Sequence, residues 1–312
     1  MRYKDGFGKS SSRVVLGTTY FGDGIGEEDA FLLMDRFREQ GGTHIDTARL
    51  YAGGKAEEIV GRWRKTRNAN EMLIASKGGF PADELPTVMR LSEKEIREDL
   101  EQSLTALQTD VIDFYWFHRD DETIPAGYLV ELMNQLQKEG KIKKFGASNW
   151  KASRIAQAQT YAKEHGLNGF FASQIRFSPA CLNAPMFGLV GMDKDEFSYY
   201  QKAEMPVVAY SSQAKGFFSK LDALGEEGLS PKAKERYLSS VNLATLKTIQ
   251  ELAVKYQVSV AAVICGAFCS IKTPTVFPII GSSKLSQLLD TLMGADLELN
   301  QEEIEAVFRH VI

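Results

Sequence analysis

Four residues that can hold or move a proton stand at or just past the ends of short apolar runs. Asp46 and Tyr51 lie in GGTHIDTARLY, Lys77 follows EMLIAS, and His118 ends DVIDFYWFH. Each run is typical of a buried strand with a polar tip. Because chemistry in a barrel of alternating strands and helices takes place at the carboxyl ends of the strands, this placement favours a site for carbonyl chemistry at that rim.

These segments resemble the aldo-keto reductase family, and the similarity runs through nearly the whole chain. GGTHIDTARLY with the later EEIVGRW is similar to the family's Asp and Tyr segment, LIASKGG to its Lys segment, and DFYWFHRDD to its His segment. The resemblance implies reduction of an aldehyde or ketone by a nicotinamide cofactor, or the reverse oxidation of an alcohol. The sequence does not set the direction of the reaction.

The same resemblance implies a role for each of the four residues. Tyr51 is expected to give its proton to the carbonyl oxygen when hydride reaches the carbon. A free phenol has a pKa near ~10, and a cationic neighbour favours its phenolate. Lys77 would be that neighbour and Asp46 its counter-ion, while His118 would donate a hydrogen bond that orients and polarises the substrate carbonyl.

Each of these residues taken singly also has an ordinary structural explanation. Asp46 followed by Thr47 could cap the next helix. Tyr51 could be a half-buried aromatic residue, Lys77 a solvated strand end, and His118 a hydrogen-bonded core histidine in a chain with 4 histidines. The four together, in matching contexts, favour the functional interpretation.

Length and composition favour an enzyme of one domain over residues 1–312. A chain of 312 residues with 44% hydrophobic content can bury a large core and has the usual length of a (β/α)8 barrel. The net charge of -4 and the pI near 5.7 argue against a nucleic-acid surface. We therefore expect small-molecule partners, and the sequence leaves the oligomeric state open.

No segment predicts a membrane span or a metal site. MRYKDGFGKSSSR lacks an apolar run, and no stretch approaches the roughly 18 uninterrupted apolar residues of a span. These features predict a cytoplasmic protein. Cys265 and Cys269 lie one helical turn apart, but no histidine or carboxylate nearby completes a metal site, so these two and Cys181 are predicted to be free thiols.

The order of apolar runs predicts a (β/α)8 TIM barrel with a parallel sheet, an N-terminal hairpin and an additional C-terminal helix. Amphipathic segments such as SEKEIREDLEQSLTALQ separate the runs, and this alternation is typical of parallel sheets. The hairpin in MRYKDGFGKSSS rests on the family resemblance, and NQEEIEAVFRHVI predicts the last helix. Eight strands are predicted at 14–18, 43–46, 72–77, 111–118, 143–148, 169–174, 206–210 and 276–280.

Closure of the substrate pocket is expected to fall to an internal loop. The chain stops after its last predicted helix, whereas several family members continue into a C-terminal tail that covers the pocket. The longest candidate is 216–242, which mixes Phe217, Phe218 and Leu221 with charged residues. A helical lid and a disordered linker are both compatible with this composition, and we favour the lid.

No G-x-G-x-x-G turn links a strand to a helix, so a dinucleotide would have to bind at the barrel rim. The glycines at 22–26 have the wrong spacing and are flanked by Asp and Glu residues. The family resemblance implies binding of the carboxamide by Ser148, Asn149 and Gln174 and stacking of the nicotinamide on Tyr210. It further implies cofactor contacts by Thr18, Thr19, Asp46, Ser211, Ser212, Gln213 and Gly216.

The cofactor's 2'-phosphate is assigned to the turn after the eighth strand. PIIGSSKLSQLLDTL ends a strand and begins a helix, which places backbone N–H groups beside an anion. Lys284 is the expected phosphate partner, so NADPH is favoured over NADH. The pattern departs from the family at Ser211-Ser212, where Ser-Pro is frequent, and at Leu289 and Thr291, where Glu and Asn are frequent. The residues assigned to this turn and helix are Gly281, Ser282, Ser283, Lys284 and Gln287.

Two other functions and one specificity residue stay open at this stage. The fold could serve a nucleotide-sensing regulatory subunit, or Lys77 could form a Schiff base in a barrel aldolase. The complete tetrad argues against the first, and the cofactor residues have no task in the second. Arg119 could recognise a substrate phosphate or carboxylate, or it could pair with Asp120 or Asp121 at the surface.

Overall fold

A computed structural model describes residues 3–5, 10–81 and 87–312 of the chain. Eight strands form a closed barrel in the order β10-β3-β4-β5-β6-β7-β8-β9, and the described pairings within it are parallel. The predicted barrel is thus confirmed. Its strands are β3 (Val15–Gly17), β4 (His44–Asp46), β5 (Leu73–Gly78), β6 (Ile112–Phe117), β7 (Ile142–Ser148), β8 (Ser173–Arg176), β9 (Val207–Tyr210) and β10 (Val276–Ile280).

The N-terminal segment forms the predicted hairpin. Strands β1 (Tyr3–Asp5) and β2 (Ser10–Ser12) pair antiparallel, with Lys4 opposite Ser11. The predicted residues 1, 2 and 6–9 of this hairpin lie outside the described residues. The hairpin forms a sheet of its own and contributes no strand to the barrel.

Helices follow the strands in the alternation that the sequence predicts. Helix α3 begins with a capping box in which Ser92 and Glu95 exchange hydrogen bonds, and the predicted last helix, α12, begins with the same device on Asn300 and Glu303. The helices are α1 (Glu27–Glu39), α2 (Lys55–Thr66), α3 (Glu93–Leu107), α4 (Ala126–Lys138), α5 (Ala152–Glu164), α6 (Lys194–Lys202), α7 (Phe217–Leu224), α8 (Pro231–Tyr237), α9 (Ser240–Tyr256), α10 (Val260–Ser270), α11 (Leu285–Leu292) and α12 (Gln301–Phe308).

The chain divides into two compact units. One comprises Leu16–Gln174, and the other comprises Met1–Val15 with Ile175–Ile312. All four members of the predicted tetrad lie in the first unit, which also contains Ser148 and Gln174. The second contains Tyr210 and Lys284. The description of residues 1–312 as one domain stays a prediction.

The alternation of side chains along β5 separates two buried faces. Lys77 stands opposite Trp116 of β6 in the parallel register, and its neighbour Ser76 stands opposite Tyr115. Because successive strand residues point to opposite faces, Lys77 and Ser76 project to different sides of the sheet. Ser76 meets helix α2, so Lys77 lies on the face directed away from the helices. The register therefore decides which polar groups lie beside Lys77.

The sixth barrel strand begins later than predicted. The apolar run 169–174 predicted a strand over its whole length, but β8 starts at Ser173. Phe170 instead exchanges two backbone hydrogen bonds with the side chain of Gln159 in α5. The ring of Phe171 stacks on Phe114 with centroids 5.1 Å apart. The backbone N–H of Phe171 still donates to Phe145 of β7 at 3.0 Å, but the regular strand starts only at Ser173, so hydrophobicity alone placed the strand start too early.

Among the residues that the structure describes, no single helix is long and apolar enough to cross a membrane. One pair of consecutive helices, α9 and α10, meets the length and composition criteria together, but the two are bent by 91°.

Candidate active site

A buried ion pair joins β4 and β5 at their carboxyl ends. Lys77 Nζ donates to Asp46 Oδ1 at 2.5 Å and to the backbone oxygen of Thr47 at 2.6 Å. The other carboxylate oxygen of Asp46 accepts a hydrogen bond from Gln174 Nε2 at 2.8 Å. The Lys77 and Asp46 side chains are only 1% and 4% exposed, so water screens this pair very little. The structure thus brings these three predicted residues together.

The surroundings of Lys77 favour its cationic form. Burial disfavours a charged ammonium, but the opposing charge of Asp46, the neighbouring Tyr51 and their hydrogen bonds outweigh it and raise the pKa of Lys77. Burial also raises the pKa of Asp46, against the opposing effects of Lys77 and Gln174. Both carboxylate oxygens accept hydrogen bonds, which is the arrangement that an ionised carboxylate requires.

The turn that follows β4 places the Tyr51 ring next to the Lys77 ammonium. The backbone N–H of Thr47 donates to Ala75 and that of Arg49 to Lys77, so the turn continues the ladder between β4 and β5. The chain then enters a short 3-10 turn, Tyr51–Gly54. Lys77 Nζ lies 5.1 Å from the centroid of the Tyr51 ring. The phenol and the ammonium are therefore neighbours, as the predicted roles require.

His118 lies beside Tyr51 and is kept neutral. The two rings meet edge to face with centroids 6.1 Å apart. Burial, together with the charges of Lys77 and Arg119, lowers the pKa of His118 well below its usual range. A neutral imidazole carries one N–H donor, which suffices to hydrogen-bond a carbonyl oxygen. Phe80 packs against His118 at 4.9 Å, so an aromatic ring borders this part of the site.

Ser148 and Asn149 adjoin the tetrad at the end of β7. Asn149 Nδ2 donates to the backbone oxygen of His118 at 3.2 Å and to Ser148 Oγ at 3.1 Å. Its backbone has φ 62°, in the left-handed region that Asn tolerates better than most residues. The backbone N–H of Asn149 donates to Gln174 at 3.1 Å. These three predicted carboxamide ligands therefore form one connected group.

Thr18 and Thr19 follow β3 in the same unit. Both the backbone N–H and the hydroxyl of Thr18 donate to the backbone oxygen of Asp46 at 3.1 Å. Thr18 is buried and Thr19 is exposed. Thr18 thus contacts the tetrad through the backbone of Asp46.

The second unit contains the other predicted cofactor residues. Tyr210 ends β9, and Ser211 after it has φ 52°. The Ser212 hydroxyl donates to the backbone oxygen of Ile279 in β10 at 2.6 Å, and Gln213 Nε2 donates to that of Ala261 at 3.1 Å. The turn ends at Gly216, which precedes α7 with φ 77°. This loop is held by side-chain bonds to β10 and α10.

The predicted phosphate turn connects β10 to α11. Lys284 is the residue before the first turn of α11, and no side chain caps that end among the described residues. Gly281, Ser283 and Lys284 are exposed, whereas Ser282 is buried. Gln287 accepts hydrogen bonds from the backbone and the hydroxyl of Ser283 at 3.3 and 3.2 Å. The role of Gln287 in cofactor binding stays a prediction.

The segment 216–242 is helical, which makes the linker interpretation wrong. It contains α7 and α8, and Phe217 and Phe218 are buried. Its role as a lid stays a prediction.

Arg119 lies with its guanidinium 4.7 Å from the Phe80 ring centroid and donates to the backbone oxygen of His118. Asp120, one predicted partner of Arg119, pairs with Arg154.

Two residues beside the site carry no role in the sequence prediction. The sequence gives no indication that Phe80 belongs to the site, because nothing in LIASKGGF shows that its ring faces His118. Glu57 lies in EEIVGRW, a segment used for the family resemblance, yet its burial could not be anticipated from a charged residue near a helix start. The three cysteines are free, and no metal-binding group of His, Cys, Asp and Glu occurs within the described ranges 3–5, 10–81 and 87–312.

Comparison with known proteins relates this site to a reductase family. A model of the Aldo/keto reductase family matches residues 13–312. The chain is 28% identical over 310 residues to norsolorinic acid reductase stcV of Emericella nidulans, covering 94% of this chain and 76% of that protein. It is 27% identical over 299 residues to an aryl-alcohol dehydrogenase of Pestalotiopsis microspora, covering 91% and 73%.

The fold also matches a solved structure. An aldo/keto reductase from Klebsiella pneumoniae, crystallised with NADP and acetate, superposes with a TM-score of 0.74 and covers 99% of this chain and 95% of its own. The two sequences are 22% identical, so this likeness concerns the fold.

Proposed function

The chain belongs to the aldo/keto reductase family and is an oxidoreductase of carbonyl compounds, and from this premise we propose that Tyr51 is the acid that protonates the substrate oxygen. The observation that carries the proposal is the position of Lys77, buried between Asp46 and the Tyr51 ring. When the phenol gives up its proton, the ammonium stabilises the phenolate that remains.

The neighbouring residues divide the remaining tasks. His118, neutral and beside Tyr51, donates a hydrogen bond to the carbonyl oxygen and directs it toward the phenol. Asp46 holds the ammonium in place through Oδ1 and is itself held by Gln174. In alcohol oxidation the same phenol acts as the base. The raised pKa of Lys77 opposes the aldolase alternative, since a Schiff-base lysine must be neutral to attack a carbonyl.

A nicotinamide cofactor supplies or takes up the hydride in this reaction. The donor set fits its carboxamide, because the amide oxygens of Asn149 and Gln174 are acceptors and Ser148 carries a hydroxyl. Tyr210 is proposed to stack on the nicotinamide ring, and Ser211 to Gly216 to follow the pyrophosphate. Thr18 and Thr19 complete the proposed set.

The proposed substrate is an aromatic aldehyde or ketone. The aryl-alcohol dehydrogenase among the relatives suggests this class, and the Phe80 ring beside His118 offers a matching apolar wall. An assay of benzaldehyde against aliphatic aldehydes of similar size tests this assignment. A cytoplasmic location stays a prediction.

Replacing Tyr51 tests the role of the acid. Tyr51→Phe keeps the ring and removes the hydroxyl, so we expect kcat for carbonyl reduction to fall about 10²- to 10⁴-fold, the usual contribution of a general acid. Cofactor affinity, measured by quenching of intrinsic fluorescence, should change less than about twofold. Tyr237→Phe is the matched control, because Tyr237 of α8 packs on Phe217 of α7 and has no role in the proposed reaction. A Tyr51→Phe enzyme with the rate of the wild type removes Tyr51 from the mechanism.

Preference for NADPH is proposed to depend on Lys284 at the start of α11. A lysine there, beside uncapped backbone N–H groups, offers a charge to the 2'-phosphate that NADH lacks. We expect Lys284→Ala to raise the Kd of NADPH at least about tenfold and to leave that of NADH nearly unchanged. Lys247→Ala, on the exposed surface of α9, is the control. Equal weakening of both cofactors contradicts the assignment.

A further inference from the structure

A buried carboxyl lies directly behind the tetrad, on the opposite face of β5. Ser76 precedes Lys77 in the strand, and its hydroxyl donates to Glu57 Oε1. Glu57 is wholly buried. Because Ser76 and Lys77 are consecutive, the hydrogen bond that holds Ser76 also restrains the backbone that carries Lys77. Glu57 therefore bears on the position of Lys77 through one hydrogen bond.

The same carboxyl is tied to the turn that carries Tyr51. Glu57 lies in the first turn of α2, which begins at Lys55 directly after the 3-10 turn Tyr51–Gly54. Ala52, Gly53 and Gly54 have φ of 51°, 65° and 98°, so three successive left-handed residues reverse the chain between the phenol and the helix. Such a turn is strained at Ala52 and needs anchoring on both sides. The bond between Glu57 and Ser76 anchors its helical side to β5.

Arg49 supports the turn from its other end. Its Nε donates to Gln102 of α3 at 2.5 Å, and its guanidinium passes so close to Gly54 that a Cβ there would lie 2.4 Å from Nη1. Glycine is favoured at residue 54 by its positive φ of 98°, and a larger residue there would displace the Arg49 guanidinium. The charges of Arg49 and Lys77 both act on Glu57. The turn is thus connected to β5 and α3 at several points.

Stability alone does not account for a carboxyl at this position. Glu57 forms no ion pair with any residue in the described part of the chain, and its neighbours include the hydroxyls of Ser76 and Ser103. Burial of a carboxyl that accepts a hydrogen bond from a hydroxyl but forms no ion pair costs free energy, and an uncharged side chain of similar size would avoid that cost.

Building on the function proposed above, we propose that Glu57 is a positioning residue that holds the Tyr51 turn and the Lys77 strand in register through Ser76. The residue touches neither the substrate nor the cofactor. Its effect reaches the reaction through the distance between the phenol and the ammonium, which is 5.1 Å from ring centroid to Nζ.

The test compares two serines that share Glu57. Ser76→Ala removes the hydrogen bond next to Lys77, whereas Ser103→Ala removes a neighbouring hydroxyl on α3 and leaves β5 untouched. Alcohol oxidation requires the Tyr51 phenolate, so weaker contact with Lys77 shifts the activity to higher pH. We expect Ser76→Ala to lower kcat at neutral pH about tenfold and to move the pH midpoint of kcat upward by at least about half a unit. Ser103→Ala should leave that midpoint in place.

Two further variants separate this role from a contribution to folding. Glu57→Gln keeps an acceptor for Ser76 and should retain kcat within about threefold, whereas Glu57→Leu should reproduce the shifted pH midpoint of Ser76→Ala. Equal midpoints for all four variants and the wild type, in protein shown to be folded by circular dichroism, overturn the proposal. If those midpoints are equal while Tyr51→Phe is inactive, the positioning role fails and the proposed function stands. An active Tyr51→Phe enzyme removes the proposed function itself.

Discussion

The two faces of strand β5 each contact a buried acid, and the two acids are held by different chemistry. On the face of Lys77, Asp46 has a cationic partner at 2.5 Å and an amide donor at 2.8 Å. On the face of Ser76, Glu57 accepts a hydrogen bond from the Ser76 hydroxyl, and burial raises its pKa against the effect of neighbouring hydroxyls and of two nearby cations. The first acid is suited to hold a charge in place, and the second to hold a backbone in place.

This difference shows how one strand serves both chemistry and support. Alternation of side chains places Lys77 toward the substrate side and Ser76 toward the helices, one residue apart. In the proposed mechanism, the charge that assists proton transfer lies on one face, and the proposed positioning contact lies on the other. Gly78 continues this division, because a Cβ there would lie 2.2 Å from the Tyr115 hydroxyl on the helix side.

The largest expected effect on stability comes from replacing the acid on each face by its amide, Asp46→Asn on one face and Glu57→Gln on the other. Asp46→Asn leaves the Lys77 ammonium buried without its counter-ion, and breaking a buried pair in this way costs about 3–5 kcal/mol. Glu57→Gln removes no ion pair, so its free energy of unfolding should stay within about 1 kcal/mol of the wild type. Urea unfolding at pH 7 measures both values. Equal losses in the two variants show that the faces do not differ as described.

The face of β5 that carries Lys77, the inner face, was more predictable from the sequence than the face that carries Ser76, the outer face. Asp46, Lys77 and His118 stand at the ends of apolar runs, and parallel strands in one barrel bring such ends to one rim. The order of the strands was therefore enough to predict that Lys77 and Asp46 lie together. The hairpin, the last helix and the barrel rested on the family resemblance together with the alternation of apolar segments.

The outer face required knowledge of packing that a single sequence does not contain. Glu57 is the third residue of α2, where an exposed acid is the common case. Its burial accompanies the packing of α2 on β5, and α2 follows three residues with positive φ that the sequence pattern does not reveal. The start of β8 was misplaced for a related reason, because Phe170 is bonded to the Gln159 side chain and not to a strand.

The smallest expected effect is a change in the pKa of a histidine on the inner face, and this pKa reports most directly on the charge of Lys77. His44 begins β4, two residues before Asp46, so both side chains share one face. Burial, with a smaller contribution from the charge of Lys77, lowers the pKa of His44 to about 3. A histidine whose pKa is depressed in the folded state contributes stability above its unfolded value, near ~6.5. That stability is lost as the pH falls from there toward about 3.

Lys77→Met should therefore raise the pKa of His44 while leaving it below its unfolded value, because burial is the larger cause and remains. The imidazole C–H signals of the 4 histidines can be followed by NMR between pH 7 and the onset of acid unfolding. A His44→Gln variant assigns the His44 signal. The outer-face variant Glu57→Gln is the control and should leave the His44 titration unchanged, since Glu57 is not among the groups that shift it. If Glu57→Gln moves that titration as far as Lys77→Met does, Glu57 affects the pKa of His44 as strongly as Lys77 does, and the separation between chemistry and support is wrong.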